Sequence, residues 1–567
     1  MVSRNAAVLL ASVIALVAGG AEDAWTQSLP LPPGTIVTGD LLGQPAPCVP
    51  PILLGPITNG AQANDYICAN PASLSFVPTG PAYMVVTSVP TQYVRVFAAG
   101  GAPNRPFMAD PNIIRGLTPA QIKDVLALPA LPANITIVTV PAGSCVLVGL
   151  GAAIPGFGSG GPAQAWAAGT PTGPNCQGVQ FLGLENYLNI QPLGAYALLY
   201  APLAGGGNAG AVAAALDQGP YPDTFSDMDL IYKSLDLLNF GDPAALRAAL
   251  QQLDGEIYAD FSSVVIGAGQ LFLGTVRERM RVSQGAATCP SQQWLSAFGA
   301  EGDLSGNGDS HDLNATSGGL AGGLEHCFDS TLLAGIAGGY AYTGFSTSGI
   351  PGTGSANTFA LAPYGRYAPG PGYVEGALGV GYNDATITRS IVFPGQSRTA
   401  TGSPRGAAFL SQVETGYRLS VDAQTEVTPF VAMQTFVIGQ GAFVETGAGA
   451  ANLHVDDNTT TSALSILGTE IEYALAVGMA SPLRLRGRLG WAHEFAETNR
   501  TATAFFDGTP SAAAFTVTGA LAPRNVAVFG LDATLATQSF DLFVGYEGAA
   551  GDGASLQGGR VGGRFTF

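Results

Sequence analysis

The last thirteen residues constrain the fold of this chain more than any other stretch. They read SLQGGRVGGRFTF and end on an aromatic residue. In a strand, alternate side chains lie on opposite faces, so Val561, Phe565 and Phe567 share an apolar face. Arg560 and Arg564 then share the opposite, cationic face. Such a strand fits the closing strand of a membrane β-barrel, in which lipid covers the apolar face and a wet lumen takes the arginines.

Bulk composition agrees with a β-rich envelope protein. Only 11% of the 567 residues are charged, 78 are glycine, and the mean hydropathy is +0.28. The net charge of −18 disfavours a nucleic-acid partner, because phosphate binding needs a basic face. Beyond the N-terminus no run of eighteen apolar residues occurs, so the sequence predicts that any membrane crossing is made by a barrel.

Residues 1–24 have the composition of a secretion signal peptide. Arg4 supplies a positive start, the stretch AAVLLASVIALVA forms an apolar core, and small residues follow it. A buried N-terminal helix is the alternative interpretation. The six cysteines of the chain suit the oxidising compartment that export implies.

Residues 25–207 are predicted to form a small exported α+β domain. After a Pro-rich start come four strand-like runs, at Ala82–Val89, Tyr93–Ala98, Ile135–Pro141 and Cys145–Leu150. Between them lies one helix with strong terminal signals: Thr118 and Gln121 form a capping box, Pro119 takes the first helical position, and Pro129 ends the helix.

No catalytic constellation is visible in this domain. All four histidines of the chain lie beyond residue 300, which excludes a Ser-His-Asp triad, a Cys-His pair or a His-ligated metal within residues 25–207. The stretch GFGSGG at 156–161 matches the dinucleotide-binding pattern, but no helix begins after it. We therefore predict neither a metal nor a cofactor.

Residues 208–288 are predicted to be a helical linker. AVAAALDQ is helical, and a second helix begins with Asp242 as its cap and Pro243 at its first position. A third predicted helix, 256–281, would be about 39 Å long at 1.5 Å per residue, enough to thread a bilayer-deep pore.

Residues 289–567 divide into twelve candidate strands in which short connections alternate with long loops, as in outer-membrane barrels. The predicted strands are 292–303, 312–326, 330–344, 356–368, 372–384, 405–420, 424–438, 459–477, 481–497, 524–536, 538–548 and 555–567.

Charged side chains alternate with apolar ones in two of these strands, LGTEIEYAL and LRLRGRLGW. Neighbouring antiparallel strands would place carboxylates opposite guanidiniums in the lumen, although on a soluble protein's surface the same arginines would need no partners. With the two arginines of the last strand, the predicted lumen charges are Glu470, Glu472, Arg484, Arg486, Arg488, Arg560 and Arg564.

These segments resemble the autotransporter (type V secretion) family. The linker AVAAALD, ALRAALQQLDGEIYA and VRERMR, and the barrel motifs QWLSAFG, TPFVA, ETGAGA and GWAHEF, occur in order. The resemblance implies an all-β, twelve-stranded antiparallel outer-membrane barrel with a threading α-helix, plus an N-terminal α+β passenger at the cell surface. It also implies a monomeric barrel in outer-membrane lipid, with periplasmic chaperones and the barrel-assembly machinery as partners. Phe565 and Phe567 would be the assembly signal.

Two functions are open for the passenger. A surface-binding or structural module with an extracellular ligand is favoured by the absence of catalytic residues. The alternative rests on YVRVF, VPAGSCVLVGLGAA and GGPAQAW, which are similar to segments of secreted toxins of the tuberculosis-necrotizing-toxin type. That resemblance implies an NAD-consuming or ADP-ribosylating enzyme in which Arg95 and Gln164 contact NAD.

The cysteines divide between the passenger and the barrel. Sequence proximity favours Cys48–Cys68 and Cys145–Cys176, one of three possible pairings. Cys289 precedes the first strand and Cys327 follows the second at the same end, so neighbouring strands about 4.8 Å apart would allow a Cys289–Cys327 bridge. Two buried free thiols are the alternative.

Overall fold

The computed structural model describes residues 36–37, 57–67, 69–87, 90–171, 179–180, 182–223, 226–282, 291–476, 482–536 and 540–566. It contains two compact units, Met1–Leu199 with Asp223–Asp229, and Tyr200–Pro222 with Leu230–Phe567. The predicted signal peptide 1–24 and the residues Cys48, Cys68, Cys176, Cys289 and Phe567 lie outside the described residues.

The first unit is built around one nine-stranded sheet. Its elements are β1 (Ile36–Val37), α1 (Gly60–Tyr66), β2 (Ala82–Val86), β3 (Thr91–Phe97), β4 (Phe107–Ala109), α2 (Pro111–Ile114), α3 (Pro119–Val125), β5 (Asn134–Val140), β6 (Cys145–Leu150), β7 (Ala163–Pro171), β8 (Val179–Gln180) and β9 (Tyr187–Pro192). The strand order is β1-β2-β6-β7-β4-β3-β5-β9, and β8 pairs with β7.

Two apolar clusters form the core of this unit. One contains Phe76, Leu147 and Trp166, and the other contains Val138 and Tyr187. The predicted α+β class is confirmed: all four predicted runs are strands, and α3 has the predicted capping box and proline. Strands β4, β7 and β9 were not predicted, because β4 has only three residues and β7 and β9 mix polar and apolar residues without a β-branched run.

The described residues between 200 and 282 form five helices. They are α4 (Ala201–Ala204), α5 (Gly207–Gln218), α6 (Asp227–Gly241), α7 (Pro243–Leu253) and α8 (Ile257–Val282). Helix α7 begins as predicted, with the Asp242 carboxylate accepting from the backbone N–H groups of Ala244 and Ala245. Helix α8 differs from the predicted 256–281 by one residue at each end. Helix α6 was not predicted.

The rest of the second unit is β structure. Its strands are β10 (Gln292–Leu304), β11 (Leu313–Cys327), β12 (Leu332–Thr347), β13 (Gly352–Tyr367), β14 (Gly372–Phe393), β15 (Gln396–Gly402), β16 (Arg405–Tyr417), β17 (Leu419–Ser420), β18 (Thr425–Gln440), β19 (Phe443–Val444), β20 (Leu453–Val455), β21 (Asn458–Leu475), β22 (Leu483–Glu494), β23 (Thr501–Phe506), β24 (Phe515–Thr518), β25 (Asn525–Ala536), β26 (Phe540–Gly551) and β27 (Ala554–Thr566).

Twelve of these strands close into an antiparallel barrel, which confirms the predicted fold class. The ring runs β10-β11-β12-β13-β14-β16-β18-β21-β22-β25-β26-β27. The last strand pairs with the first from Gln292↔Thr566 to Leu304↔Ala554. We call the end with turns 328–331, 368–371 and 418–424 the turn end, and the opposite end, with segments 305–312, 441–457 and 495–524, the cap end.

The cap end holds structure that the sequence did not predict. Strand β14 runs nine residues past its predicted end and turns back into β15 through Gly395, whose φ of +85° favours glycine. Strands β19, β20, β23 and β24 form a separate four-stranded sheet. These strands have two to six residues and pair across distant loops, so no local alternation marks them.

Candidate functional site in the barrel lumen

The outer wall of the barrel is an exposed apolar surface. Each of the twelve ring strands contributes at least one exposed large apolar side chain: Leu295, Leu320, Ile336, Leu361, Val380, Val413, Met433, Leu467, Leu489, Leu531, Val544 and Val561. Water-exposed apolar area of this extent is not found on soluble monomers, whereas lipid is its natural solvent. The alternate residues therefore face the lumen.

Helix α8 occupies that lumen. The segment Ile257–Arg281 is long and apolar enough to cross a membrane, and its most apolar stretch of 18 residues has a mean hydropathy of 1.3. However, 83% of that stretch is buried inside the protein. Glycines on the wall make room for the helix: a Cβ at Gly339 would lie 2.5 Å from the Phe272 ring. On the helix, a Cβ at Gly269 would lie 2.8 Å from the Phe436 ring.

The C-terminal turns of α8 are held by buried ion pairs. Arg281 pairs with Glu375, Glu414 and Glu470, and its side chain is 3% exposed. Arg279 pairs with Glu325, whose carboxylate also accepts from the Tyr364 hydroxyl.

A single acidic residue of the helix bridges to the opposite wall. The Glu278 carboxylate lies 2.6 Å from Nη1 of Arg486 and 3.8 Å from Nη2 of Arg560. The last two turns of α8 are therefore held by acids of β11, β14, β16 and β21 and, through Glu278, by arginines of β22 and β27.

The structure places all seven predicted lumen charges in ion pairs. Register sets Glu470 opposite Arg488 and Glu472 opposite Arg486. Arg484 also pairs with Glu472. On the last strand, Arg560 pairs with Asp532 (2.6 Å) and Glu547 (2.8 Å), and Arg564 pairs with Asp541.

Sequence reasoning missed eleven of the eighteen charged groups that form this network among the described residues. Glu325 and Glu414 are the only acids of their strands, Glu375 is flanked by small and apolar residues, and each of the three is buried. Their only local signal is that a carboxylate stands at a position otherwise filled by small or apolar side chains. Their partners lie on other strands or on α8, which no alternation within one strand can show.

Among the described residues the lumen network is electrically balanced. Nine guanidiniums belong to it: Arg277, Arg279, Arg281, Arg366, Arg484, Arg486, Arg488, Arg560 and Arg564. Nine carboxylates face them: Glu278, Glu325, Glu375, Glu414, Glu470, Glu472, Asp532, Asp541 and Glu547. Such balance is what burial of this many charges requires.

A second polar cluster lies at the cap end, where α8 begins. Glu256 accepts from the amide of Asn208 (3.0 Å) and from the backbone N–H of His311 (2.5 Å), and its other contact is the His311 ring at 3.1 Å. The hydrogen bond to Glu256 raises the pKa of His311 above its ordinary value. Burial raises the pKa of the neighbouring Asp254 well above its usual range.

The helix does not fill the lumen evenly. It makes most of its contacts with β12–β14, and a cavity of about 280 Å³ remains beside it, lined by residues of β10, β11, β21, β22 and β25–β27. Ser263, Gly267, Gln270 and Gly274 line the helix side of this cavity. The cavity accounts for the small and glycine residues in the middle of α8, which the sequence alone did not explain.

The structure describes two of the six cysteines. Cys145 and Cys327 are both disulfide-bonded. The four other cysteines lie outside the described residues, so the pairings Cys48–Cys68, Cys145–Cys176 and Cys289–Cys327 all stay predictions. The assembly signal at Phe565 and Phe567 also stays a prediction; the backbone of residue 565 pairs with strands β10 and β26.

In the first unit, the structure does not bring Arg95 and Gln164 together. Val94, Ala109 and Gln164 are paired across β3, β4 and β7 and share one face, so Arg95 points to the other face. The Gln164 amide donates to the carbonyl of Leu126 (3.2 Å) and is buried.

The Arg95 side chain also makes a hydrogen bond within its own domain. It donates to the carbonyl of Phe107 (3.0 Å), and burial lowers its pKa to about 10, so it stays charged at neutral pH. The GFGSGG loop is tied to α3: Ser159 hydrogen-bonds the Asp124 carboxylate through its N–H (3.1 Å) and its hydroxyl (2.7 Å).

Comparison with known proteins identifies the barrel. The sequence model of the autotransporter beta-domain matches residues 293–547. Two extracellular serine proteases of Serratia marcescens are 24% and 25% identical over 326 and 327 residues, which is 56% of this chain and 30% of each relative. The chain thus spans about a third of the length of the curated relatives that it matches.

Solved structures with a similar fold include two translocator domains. That of the autotransporter NalP from Neisseria meningitidis is 16% identical, with a TM-score of 0.45, covering 55% of this chain and 99% of that one. The β-domain of the Bordetella autotransporter BrkA is 21% identical, with a TM-score of 0.37, covering 49% and 100%. The matched sequence and the closed, helix-filled barrel identify residues 293–547 as an autotransporter beta-domain, an outer-membrane β-barrel translocator of the kind that displays a passenger at the cell surface.

Proposed function

We propose that this barrel exports the chain's own residues 25–207 and displays them as a surface-binding or structural module. For export in this direction, the turn end of the barrel would face the periplasm and the cap end would face the outside of the cell. The placement of Arg95 and Gln164 carries the passenger part of the proposal. They point to opposite faces of the sheet, and both side chains are committed to backbone carbonyls of the same fold.

An NAD-consuming passenger remains the alternative, because three segments are similar to a toxin family. A protease passenger, as the names of the Serratia relatives suggest, has less support: residues 25–207 contain no histidine, and the match covers only 30% of each relative. Helix α8 contains no asparagine of the kind at which some relatives cleave themselves, so we infer that the passenger stays attached.

Export is tested with the full chain in a Gram-negative host. An epitope inserted between Gly100 and Gly101, an exposed turn with no atoms within 4 Å of a Gly100 Cβ, should be labelled by antibody on intact cells. The same epitope in a chain lacking residues 292–567 should be labelled only after lysis. Labelling of intact cells by both chains would contradict export through the barrel.

The passenger's class is tested on the same cells. Cells that display the passenger should consume external NAD no faster than cells displaying the Gln164→Ala variant. Faster loss that disappears in this variant would establish the enzyme instead. The Gln121→Ala variant, which changes a capping glutamine on α3, controls for loss of folding.

A further inference from the structure

A groove of about 750 Å³ is cut into the outer wall of the barrel at the turn end. It is lined by outward-facing side chains of β13, β14, β16, β18 and β21. The main apolar side chains are between 48% and 61% exposed: Tyr367, Val374, Tyr417, Val431 and Leu467. The groove is therefore part of the surface that contacts the membrane.

Strand register explains its shape. Tyr367, Val374, Thr415, Val431 and Leu467 are paired in one continuous row across five strands. On β13 and β14, the outward positions nearest this row are the glycines 365, 372 and 376. Because these glycines have no side chains, the outer surface of the barrel is recessed between the Tyr367 ring and the opposite side of the groove. Thr415 donates its hydroxyl to the carbonyl of Tyr373 (2.8 Å), so this polar group is already satisfied.

A positive charge stands at the turn-end edge of the groove. Arg418 follows Tyr417 and donates to the carbonyls of Gly370 (2.8 Å) and Pro371 (3.4 Å), two groove residues. The acid of the same turn, Asp422, is engaged locally by the backbone N–H groups of Gln424 and Thr425. The edge of the groove thus combines a cation with tyrosine side chains at the level of the interface, while its walls are apolar.

We propose that this groove holds one acyl chain of an anionic phospholipid of the periplasmic leaflet, with the phosphodiester at Arg418. A lipid fits better than a protein partner because the walls lie on the face that contacts hydrocarbon. A guanidinium matches a phosphate oxygen pair in geometry and charge. The proposal does not depend on what the passenger does.

The test fills the groove without disturbing the barrel. A Cβ at Gly372 would meet nothing closer than 3.8 Å, so Gly372→Leu places a side chain in the groove at little steric cost. Thr415→Phe fills it from another strand. Val544→Phe is the matched control, because Val544 is an outward residue on β26, away from the groove. Folding of each variant is checked by heat-modifiable migration in SDS gels.

The full-length chain, purified in mild detergent, is titrated with phosphatidylglycerol or phosphatidylcholine and weighed by native mass spectrometry. We expect one retained phosphatidylglycerol per chain, about tenfold weaker binding in Gly372→Leu and Thr415→Phe, and no change in Val544→Phe. Arg418→Gln should bind both lipids equally, and Arg418→Lys should keep the preference for phosphatidylglycerol. Equal retention by Gly372→Leu and the control would overturn the proposal. So would groove variants that lower barrel assembly in cells but retain lipid, since the groove would then serve a protein.

Discussion

Replacing Arg281 by methionine tests whether ion pairs hold α8 in the barrel. Arg281 lies in the last turn of the helix, where a cation also interacts favourably with the helix dipole. Its guanidinium contacts three carboxylates on three strands, and at least two of them, Glu375 and Glu414, are fully buried. Methionine keeps most of the side-chain volume and removes only the charge and its hydrogen bonds.

The expected loss of stability follows from burial. Removing one partner of a buried ion pair costs about 3–5 kcal/mol, because the remaining charge is left in a poor solvent. Arg488 still reaches Glu414 at 2.7 Å and Glu470 at 3.4 Å, and Arg366 reaches Glu375 at 3.8 Å. These remaining cations place the expected cost near the lower end, at about 3 kcal/mol.

Arg405→Met is the matched control. Arg405 pairs with Asp384 at 3.1 Å, but the two side chains are 68% and 44% exposed, so the loss should stay below about 1 kcal/mol. Both variants are measured by urea unfolding of the full chain in lipid vesicles, with the slope of the transition checked for change. Glu414→Gln should cost less in the Arg281→Met background than alone, because the carboxylate has lost a partner there. Equal losses for Arg281→Met and Arg405→Met would refute the argument.

Three further predictions concern the two ends of the barrel. The pKa values of His311 and Asp254 are both raised in the folded state. The folded state therefore binds more protons than the unfolded one, and the cap-end contacts should weaken as the pH rises above about 6.5. Proteolysis at the start of α8 should accordingly be faster at pH 9 than at pH 6, and a pH-independent rate would contradict this. Deleting Phe567 should reduce insertion into the outer membrane, measured as the heat-modifiable fraction, whereas deleting the exposed Val421 side chain by Val421→Ala should not. A Cys289–Cys327 bridge should appear as one linked peptide pair in non-reduced digests; linkage of Cys327 to any other cysteine would exclude it.

The barrel was predictable because each of its strands can be recognised from the residues of that strand alone. Each strand alternates apolar outward residues with small or charged inward ones, so LRLRGRLGW defines two faces by itself. Helix α8 was predictable for a similar reason, since its length and the arginines of its last turn are read within one segment. The same holds for the Thr118 capping box, which involves residues three apart.

What the sequence could not provide is the pairing of distant groups. The contact between Arg281 and Glu414 joins residues 133 positions apart, and it depends on the rotation of α8 inside the ring. The cap-end sheet joins β20 to β23 across an intervening hairpin of long barrel strands, β21 and β22. Neither relation leaves a periodic mark in the chain, because both are fixed by barrel closure rather than by neighbours in sequence.

The glycines of α8 show how the off-centre helix can be tested. A Cβ at Gly267 would meet nothing within 4 Å, because this residue faces the lumen cavity, whereas a Cβ at Gly269 would lie 2.8 Å from the Phe436 ring. Alanine removes the helix penalty of glycine, which is about 1 kcal/mol. Gly267→Ala should therefore stabilise the barrel by up to about 1 kcal/mol, and Gly269→Ala should destabilise it, because Phe436 is 1% exposed and packed.

The two variants have the same composition, so helix propensity alone predicts equal gains. Urea unfolding of the full chain in vesicles measures the difference in sign. If both substitutions stabilise the barrel, Gly269 does not pack against β18, and the helix does not lie where the structure places it. Opposite signs require a helix with one face against the wall and the other against open space, which is the arrangement that leaves the cavity beside β25–β27.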